Sequence, residues 1–160
     1  MQATKLGRSV AAVDRAPLIG GSCTHLGTIP SKALRYAIFQ AANLQATGLV
    51  DSETLATARS FPNLRRSAAS VISKQVEMRR TFYERNEVPV FQGHARFVEP
   101  GVVEVSDDLG GRRILRAPAV IIATGTRPYR PPEIEFDHLR VHDSDTILDL
   151  PETPRSIRIY

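Results

Sequence analysis

The stretch from Gly20 to Leu34, which reads G-G-S-C-T-H-L-G-T-I-P-S-K-A-L, constrains the fold more than any other part of the chain. Its paired glycines permit a backbone approach that a side chain would block. Pro30 and Ser31 predict the start of a helix, because proline fits the first helical turn and a serine hydroxyl can bond an orphan amide. Lys32 then places a cation in that first turn, where the helix dipole disfavours it. A glycine-rich turn with a thiol and an unfavourable cation is more typical of a ligand site than of a core.

Length and composition narrow the class of protein. The 160 residues suffice for one domain with a sizeable core, and no apolar run approaches the ~18–20 residues of a membrane span. The N-terminus has no hydrophobic region of a signal peptide, so we expect no membrane partner and a cytoplasmic location. The single cysteine excludes an internal disulfide framework and suits a reducing compartment. The net charge of +4 comes without a nucleic-acid motif, so we expect an anionic cofactor rather than DNA or RNA.

A short apolar run at Arg8–Arg15, R-S-V-A-A-V-D-R, predicts a strand buried in a parallel sheet. Asp14 ends that strand, where an acid can accept both hydroxyls of a ribose or simply cap a turn. A dinucleotide-binding unit should begin with a strand, a G-x-G-x-x-G loop and a helix, yet that loop occurs nowhere in the sequence. We therefore expect Met1–Gly7 to be the last turns of that helix and the chain to start inside the first βαβ unit.

Two long helices are predicted after the glycine-rich stretch. Apolar residues at three- and four-residue spacing predict a helix over Pro30–Leu44, ended by Gly48. The polar stretch Leu49–Ser60 is expected to be a loop with an irregular turn. Phe61–Arg85 predicts a longer amphipathic helix with a solvated basic face.

The second half of the sequence indicates strands. Val88–Phe91 predicts a short strand near an edge, because it contains Pro89. Val102–Val105 and Arg112–Leu115 flank a glycine turn and predict a hairpin. Ala119–Gly125, A-V-I-I-A-T-G, is the clearest buried strand, and its glycine permits close approach of a ligand at the strand end.

Two further segments near the C-terminal end of the sequence have recognisable patterns. Asp143 is expected to cap a turn or a helix start over Asp143–Leu148. Pro154–Tyr160 is similar to the opening strand of a second Rossmann unit. The pattern as a whole predicts an α/β, Rossmann-like dinucleotide-binding fold with a small antiparallel β layer, incomplete at both ends; the resemblance described next implies that it is an FAD/NAD(P)-binding fold.

The glycine-rich stretch resembles the flavin-facing segment of the pyridine nucleotide-disulfide oxidoreductase family, whose usual form is G-G-T-C-x-x-x-x-C-I-P-S-K. Cys23 takes the first cysteine position, whereas Thr28 stands at the second. That departure resembles the FAD-containing transhydrogenase branch of the family. The resemblance implies FAD as cofactor, with NAD(P) in the parent protein, and direct hydride exchange between NADPH and NAD⁺ without a dithiol relay.

The resemblance also implies a set of site residues. Lys32 is implied as the catalytic residue, a cation that tunes the flavin, and as part of the cofactor site. The ribose acid is Asp14, the G-x-A segment near the adenine includes His94 and Ala95, and Arg127 neutralises part of the pyrophosphate. The implied cofactor-binding residues are Asp14, Arg15, Gly20, Gly21, Ser22, Cys23, Thr28, Lys32, His94, Ala95, Ala123, Thr124, Gly125 and Arg127. No metal site is expected.

The implied organisation is an FAD-binding domain over residues 1–155, lacking its first strand and its G-x-G-x-x-G loop, followed at 156–160 by the start of an NAD(P)-binding domain. The parent protein is expected to be a homo-oligomer that uses nicotinamide nucleotides. Alone, this chain is expected to be inactive and to hold FAD weakly or not at all. Two alternatives stay open: a non-catalytic nucleotide-binding fragment, and another flavoprotein reductase such as a dihydrolipoamide dehydrogenase-like enzyme.

Overall fold

The computed structural model describes residues 2–160 of an α/β chain that divides into two compact units. Unit 1 comprises the described residues up to Gly21 together with Val76–Gly125, and unit 2 comprises Ser22–Gln75 and Thr126–Tyr160. The elements in chain order are α1 (Gln2–Lys5), β1 (Ala12–Asp14), α2 (Gly21–His25), α3 (Thr28–Thr47), α4 (Ser52–Arg59), α5 (Phe61–Arg85), β2 (Val90–Gln92), β3 (His94–Glu99), β4 (Val102–Ser106), β5 (Arg112–Arg116) and a 3₁₀ turn (Ile147–Asp149). In the described part of the chain, no helix combines the length and apolar character that crossing a membrane requires.

The two predicted long helices are confirmed. Helix α3 ends at Gly48, whose φ of 65° is the left-handed conformation that glycine adopts without strain. The start of α3 differs from the prediction, because the helix begins at Thr28 rather than Pro30. The Ser31 hydroxyl therefore donates to the Thr28 carbonyl oxygen at 3.1 Å instead of bonding an orphan amide. Lys32 consequently lies in the second turn of α3.

The loop predicted over Leu49–Ser60 is wrong, because residues 52–59 form helix α4. Asp51 is the reason: its Oδ1 accepts a hydrogen bond from the Thr54 amide at 2.8 Å, and its Oδ2 accepts one from the Thr54 hydroxyl at 2.7 Å. An N-cap of this kind satisfies an amide that has no partner within the helix and favours helix in a polar segment. These hydrogen bonds also lower the pKa of the Asp51 carboxyl, with the Thr54 amide contributing most.

Unit 1 is built on two small sheets. Strand β1 pairs in parallel with β2, and Asp14 lies opposite Gln92. Strands β3, β4 and β5 form an antiparallel sheet with β4 in the centre, so the predicted hairpin is confirmed. The Arg113 guanidinium lies 4.8 Å from the centroid of the Phe91 ring, which links the antiparallel sheet to β2 by a cation–π contact.

Each unit has a small apolar core of its own. In unit 1 the buried apolar side chains are Val88, Val102 and Val105. In unit 2, Ala41 of α3 is buried, as are Leu64 and Ala68 of α5. The other large side chains on the predicted stripe of α3 are half-exposed, Ile38 and Leu44 among them.

Two predicted strands are absent from residues 2–160. Residues 119–125 form no strand, and the Ile121 side chain is 90% exposed. Residues 154–160 form none either, and Ile159 is 92% exposed. A parallel strand is stable only when neighbouring strands accept its backbone hydrogen bonds and cover its apolar side chains. No described strand pairs with either segment. Residues 2–5 do form a short helix, α1, as expected for that end, whereas Met1 lies outside the described residues.

The turn at Asp143 is confirmed. Asp143 Oδ1 accepts hydrogen bonds from the amides of Asp145 and Thr146, at 3.0 and 2.9 Å. Burial alone would raise the pKa of this carboxyl, but the Thr146 amide and the Arg130 guanidinium outweigh it and hold the pKa at about 2. Asp137 is arranged similarly: its Oδ1 accepts from the amides of residues 139, 140 and 141, which lower its pKa to about 2.

The two acids predict how stability depends on pH. Their pKa values lie near 3.8 in the unfolded chain and near 2 in the folded one, so the ionised carboxylates stabilise the fold. This stabilisation is complete above about pH 4 and is lost as the pH falls through about 2. In urea unfolding followed by circular dichroism, Asp143→Asn should therefore be less stable than the wild type at about pH 5, and the difference should shrink towards about pH 2. Parallel curves would show that Asp143 does not contribute in this way.

Replacement of His142 is expected to stabilise the fold. Both of its ring nitrogens are buried and have no hydrogen-bond partner among residues 2–160. A buried polar atom that is left unpaired costs roughly 1–3 kcal/mol. His142→Leu removes both nitrogens and should raise the free energy of unfolding by about 1 kcal/mol, measured by urea unfolding. His138→Asn, at an exposed position with φ of 58°, is the matched control and should change stability little. A destabilised His142→Leu protein would contradict the prediction.

Candidate functional site

The carboxyl end of the parallel strand pair in unit 1 places Asp14 at an edge of the sheet. Its side chain is half-buried, and Oδ1 accepts a hydrogen bond from the Ala16 amide at 3.0 Å. The turn-capping role of Asp14 is thus present in the structure. Asp14 Oδ2 accepts no hydrogen bond from the described residues, so one carboxylate oxygen stays available to a ligand.

The G-x-A segment lies directly beside Asp14. The Gly93 amide donates to the Asp14 carbonyl oxygen at 2.9 Å, which places His94 and Ala95 next to the strand end. Gly93 is needed here for packing: its φ is 149°, and a Cβ atom would lie 2.6 Å from the Ser106 carbonyl oxygen. The structure therefore brings the predicted ribose acid and the predicted adenine segment together within one unit.

Strand β3 carries His94 and Ala95 along an open edge. Its only strand partner in the described chain is β4, so alternate amides and carbonyls of β3 point away from the sheet. The His94 side chain is exposed. Backbone groups at such an edge are available to hydrogen-bond a planar heterocycle.

The glycine-rich stretch, which belongs to unit 2 from Ser22 onward, folds into helix α2 and the start of α3 rather than into an open turn. The Ser22 carbonyl oxygen accepts hydrogen bonds from the amides of Leu26 and Gly27, at 2.8 and 3.0 Å, which closes α2. Cys23 is exposed in the middle of α2, and Thr28 is exposed at the first residue of α3. Lys32 is exposed one turn further along α3.

Thr24 is the residue of this stretch that sequence reasoning missed. Its side chain has no exposed surface, the only one in the described chain that is buried so completely. It lies between Cys23 and His25, so the α2 helix turns Thr24 inward and leaves the thiol outside. A polar residue flanked by glycine-rich sequence gives no periodic signal by which its burial could be recognised.

Most of the remaining predicted site residues are exposed and lie outside regular secondary structure. Ala123, Thr124 and Gly125 are exposed and form no strand. Arg15 and Gly21 are exposed, while Gly20 is half-buried with φ of 126°. Arg127 is exposed in the proline-rich segment of unit 2. Among residues 2–160, no group of three or more histidine, cysteine, aspartate or glutamate side chains is arranged to hold a metal ion.

Sequence comparison finds relatives along the whole chain. It is 49% identical over 160 residues to the soluble pyridine nucleotide transhydrogenase of Stutzerimonas stutzeri (strain A1501), and 48% identical to that of Pseudomonas aeruginosa (strain LESB58). Each alignment covers 100% of this chain and 34% of the relative. The chain therefore spans about a third of the length of the curated relatives that it matches.

Structure comparison finds solved structures with a fold similar to that of this chain. LpdA from Mycobacterium tuberculosis matches with a TM-score of 0.74 and 19% identity, over 92% of this chain and 33% of LpdA. The HOCl-induced flavoprotein disulfide reductase RclA from Escherichia coli matches with a TM-score of 0.66 and 22% identity, over 93% of this chain and 30% of RclA. The predicted fold class is confirmed. A family model described as pyridine nucleotide-disulphide oxidoreductase matches residues 1–160. The chain belongs to that family.

Proposed function

We propose that this chain is the FAD-binding part of an oxidoreductase that exchanges hydride between NADPH and NAD⁺. The observation that carries the proposal is the single cysteine, with Thr28 at the position that a dithiol pair would need. A threonine hydroxyl neither forms a disulfide nor carries thiolate charge, so a dithiol relay is impossible at this site. The relatives of nearly half-identical sequence are transhydrogenases by name, which supports direct hydride exchange.

The residues of unit 1 fit the adenosine end of FAD. Asp14 has one carboxylate oxygen available at the carboxyl end of a parallel strand, where α/β sheets bind nucleotides. The adjacent edge of β3 supplies backbone groups at His94 and Ala95 for the adenine. In this proposal Asp14 accepts from a ribose hydroxyl, and the β3 edge orients the base.

The residues of the glycine-rich stretch are proposed for the flavin end of the cofactor. FAD, when bound, accepts hydride from one nicotinamide nucleotide and passes it to another. Lys32 contributes a fixed positive charge that stabilises negative charge developing in the ring. Ser22 and Thr28 offer hydroxyl donors. Cys23 would contact the flavin as a small thiol and would take no part in electron transfer.

Further parts of the proposal concern the phosphates, the domains and the protein's surroundings. Arg127 would neutralise part of the pyrophosphate, and Ala123–Gly125 would let the nucleotide approach the backbone. Residues 1–155 would form the FAD-binding domain, and 156–160 would begin an NAD(P)-binding domain. The parent protein would be a cytoplasmic homo-oligomer with nicotinamide nucleotides as substrates.

The first test is FAD binding by the 160-residue chain. We expect weak binding and no hydride exchange, because a G-x-G-x-x-G loop, whose amides hold the pyrophosphate, is absent from its sequence. Asp14→Ala should weaken binding by about fivefold to tenfold, since it removes a charge-assisted hydrogen bond. Flavin fluorescence anisotropy during titration measures the dissociation constants of FAD for the wild type and for Asp14→Ala.

Asp108→Ala is the matched control, because Asp108 is exposed in the β4–β5 turn of the same unit. Its affinity for FAD should equal that of the wild type. Equal weakening by both substitutions would show that the loss is not specific to Asp14 and would contradict its assignment to the ribose. Tight stoichiometric binding with turnover would show that the pyrophosphate needs no such loop.

The second test separates the thiol from the lysine in a chimera that carries residues 1–160 in place of the matching region of the Stutzerimonas relative. Cys23→Ser should leave hydride exchange largely unchanged and should show no long-wavelength charge-transfer band on reduction. Lys32→Met should lower the flavin reduction potential, because one unit charge near the ring contributes on the order of 1–3 kcal/mol at an effective dielectric of about 20. Loss of turnover by several orders of magnitude in Cys23→Ser would overturn the relay-free mechanism, and an unchanged potential in Lys32→Met would place the lysine in solvent.

A further inference from the structure

We propose that Arg130 is a positioning residue, which anchors the proline-rich segment 126–132 to Asp143 and so holds Arg127 against the phosphates of the nucleotide. The inference rests on the proposed function, in which Arg127 neutralises part of the pyrophosphate of FAD. All of the residues involved belong to unit 2.

The anchor is an ion pair with a defined geometry. Arg130 Nη2 lies 2.7 Å from Asp143 Oδ2, and Arg130 Nε donates to the same oxygen at 2.8 Å. The Arg130 guanidinium also lies 5.2 Å from the centroid of the Phe136 ring. A guanidinium held by a hydrogen bond, an ion pair and an aromatic face has a preferred orientation that a lysine could not reproduce.

Asp143 is itself held firmly. Its side chain is only 6% exposed, and its second oxygen accepts the amides of Asp145 and Thr146. The Asp143 amide in turn donates to the Thr146 hydroxyl at 3.1 Å. Because its pKa is about 2, the carboxylate stays charged at neutral pH. The anchor point is therefore a rigid turn.

The anchor lies close enough to Arg127 to fix its backbone. Only Pro128 and Tyr129 separate Arg127 from Arg130, and Pro131 and Pro132 follow. Proline fixes its own φ and restricts the residue before it, so the segment transmits the constraint. The Arg127 side chain is exposed and forms no ion pair with the described residues.

A double-mutant cycle tests whether Arg130 acts through Arg127. In the 160-residue chain titrated with FAD, Arg130→Met should raise the dissociation constant roughly tenfold, equivalent to about 1.4 kcal/mol. The same substitution made on Arg127→Met should have almost no further effect, because the cation that it positions is gone. Arg130→Lys should restore the affinity only in part. Arg140→Met replaces another exposed arginine of unit 2; it is the control and should bind FAD as the wild type does.

Backbone relaxation by NMR gives a readout without ligand. The order parameter of the Arg127 amide should fall from about 0.85 towards 0.6 in Arg130→Met and stay unchanged in Arg140→Met. Additive losses in the cycle, or an unchanged order parameter, would overturn the inference while leaving the proposed function intact. FAD affinity that is unchanged in both Asp14→Ala and Arg127→Met would overturn the proposed function and this inference with it. Should Arg130→Met fail to fold, Asp143→Asn removes the ionic partner and enters the same cycle.

Discussion

The parallel pairing of β1 with β2 is the contact on which unit 1 depends, because it joins segments that lie far apart in the sequence. The Ala12 amide donates to the Pro89 carbonyl oxygen, and the Gly93 amide donates to that of Asp14, both at 2.9 Å. These hydrogen bonds flank the three-residue register and fix where β3 begins. The acid at the end of β1 and the G-x-A segment are neighbours only because of that register.

In unit 2, two arginines fix the course of residues 126–150 through polar contacts. Arg65 Nη1 donates to the carbonyl oxygens of Asp149 and Leu150, and its Nη2 lies 3.2 Å from Asp149 Oδ1. Arg130 and Asp143 form a second ion pair between residues that precede Asp149 in the chain. An exposed ion pair stabilises little by itself, yet a guanidinium with several acceptors fixes a backbone geometry. Such contacts give residues 126–150 of the described structure a defined course, in which the 3₁₀ turn at Ile147–Asp149 is the only helical element.

The site combines exposed reactive groups with a buried support. Cys23, Thr28 and Lys32 face outward, whereas Thr24 is enclosed in the same stretch. Cys23 and Thr24 are consecutive residues of α2, and because consecutive side chains of a helix point about 100° apart, one is exposed while the next is buried. In the proposed site, Thr28 in place of a second cysteine excludes a dithiol relay, and α2 and α3 present the exposed side chains.

The sequence by itself determined the family, the fold class and the long helices, because these depend on a long ordered motif and on helical periodicity over many residues. The helix over 61–85 and the β4–β5 hairpin were predicted with bounds close to those observed. Helix α4 could also be explained locally, by the Asp51 cap, but its polar sequence carried no apolar period.

Only the tertiary structure decided which apolar segments become strands. Residues 119–125 have the composition of a buried strand, yet strand formation depends on a partner edge that lies elsewhere in the chain or outside it. The ion pair of Arg130 with Asp143 and the unpaired ring nitrogens of His142 could not be predicted from the sequence, because both depend on packing between residues that no spacing rule relates. Local patterns specify local hydrogen bonds, whereas burial and pairing are properties of the assembled chain.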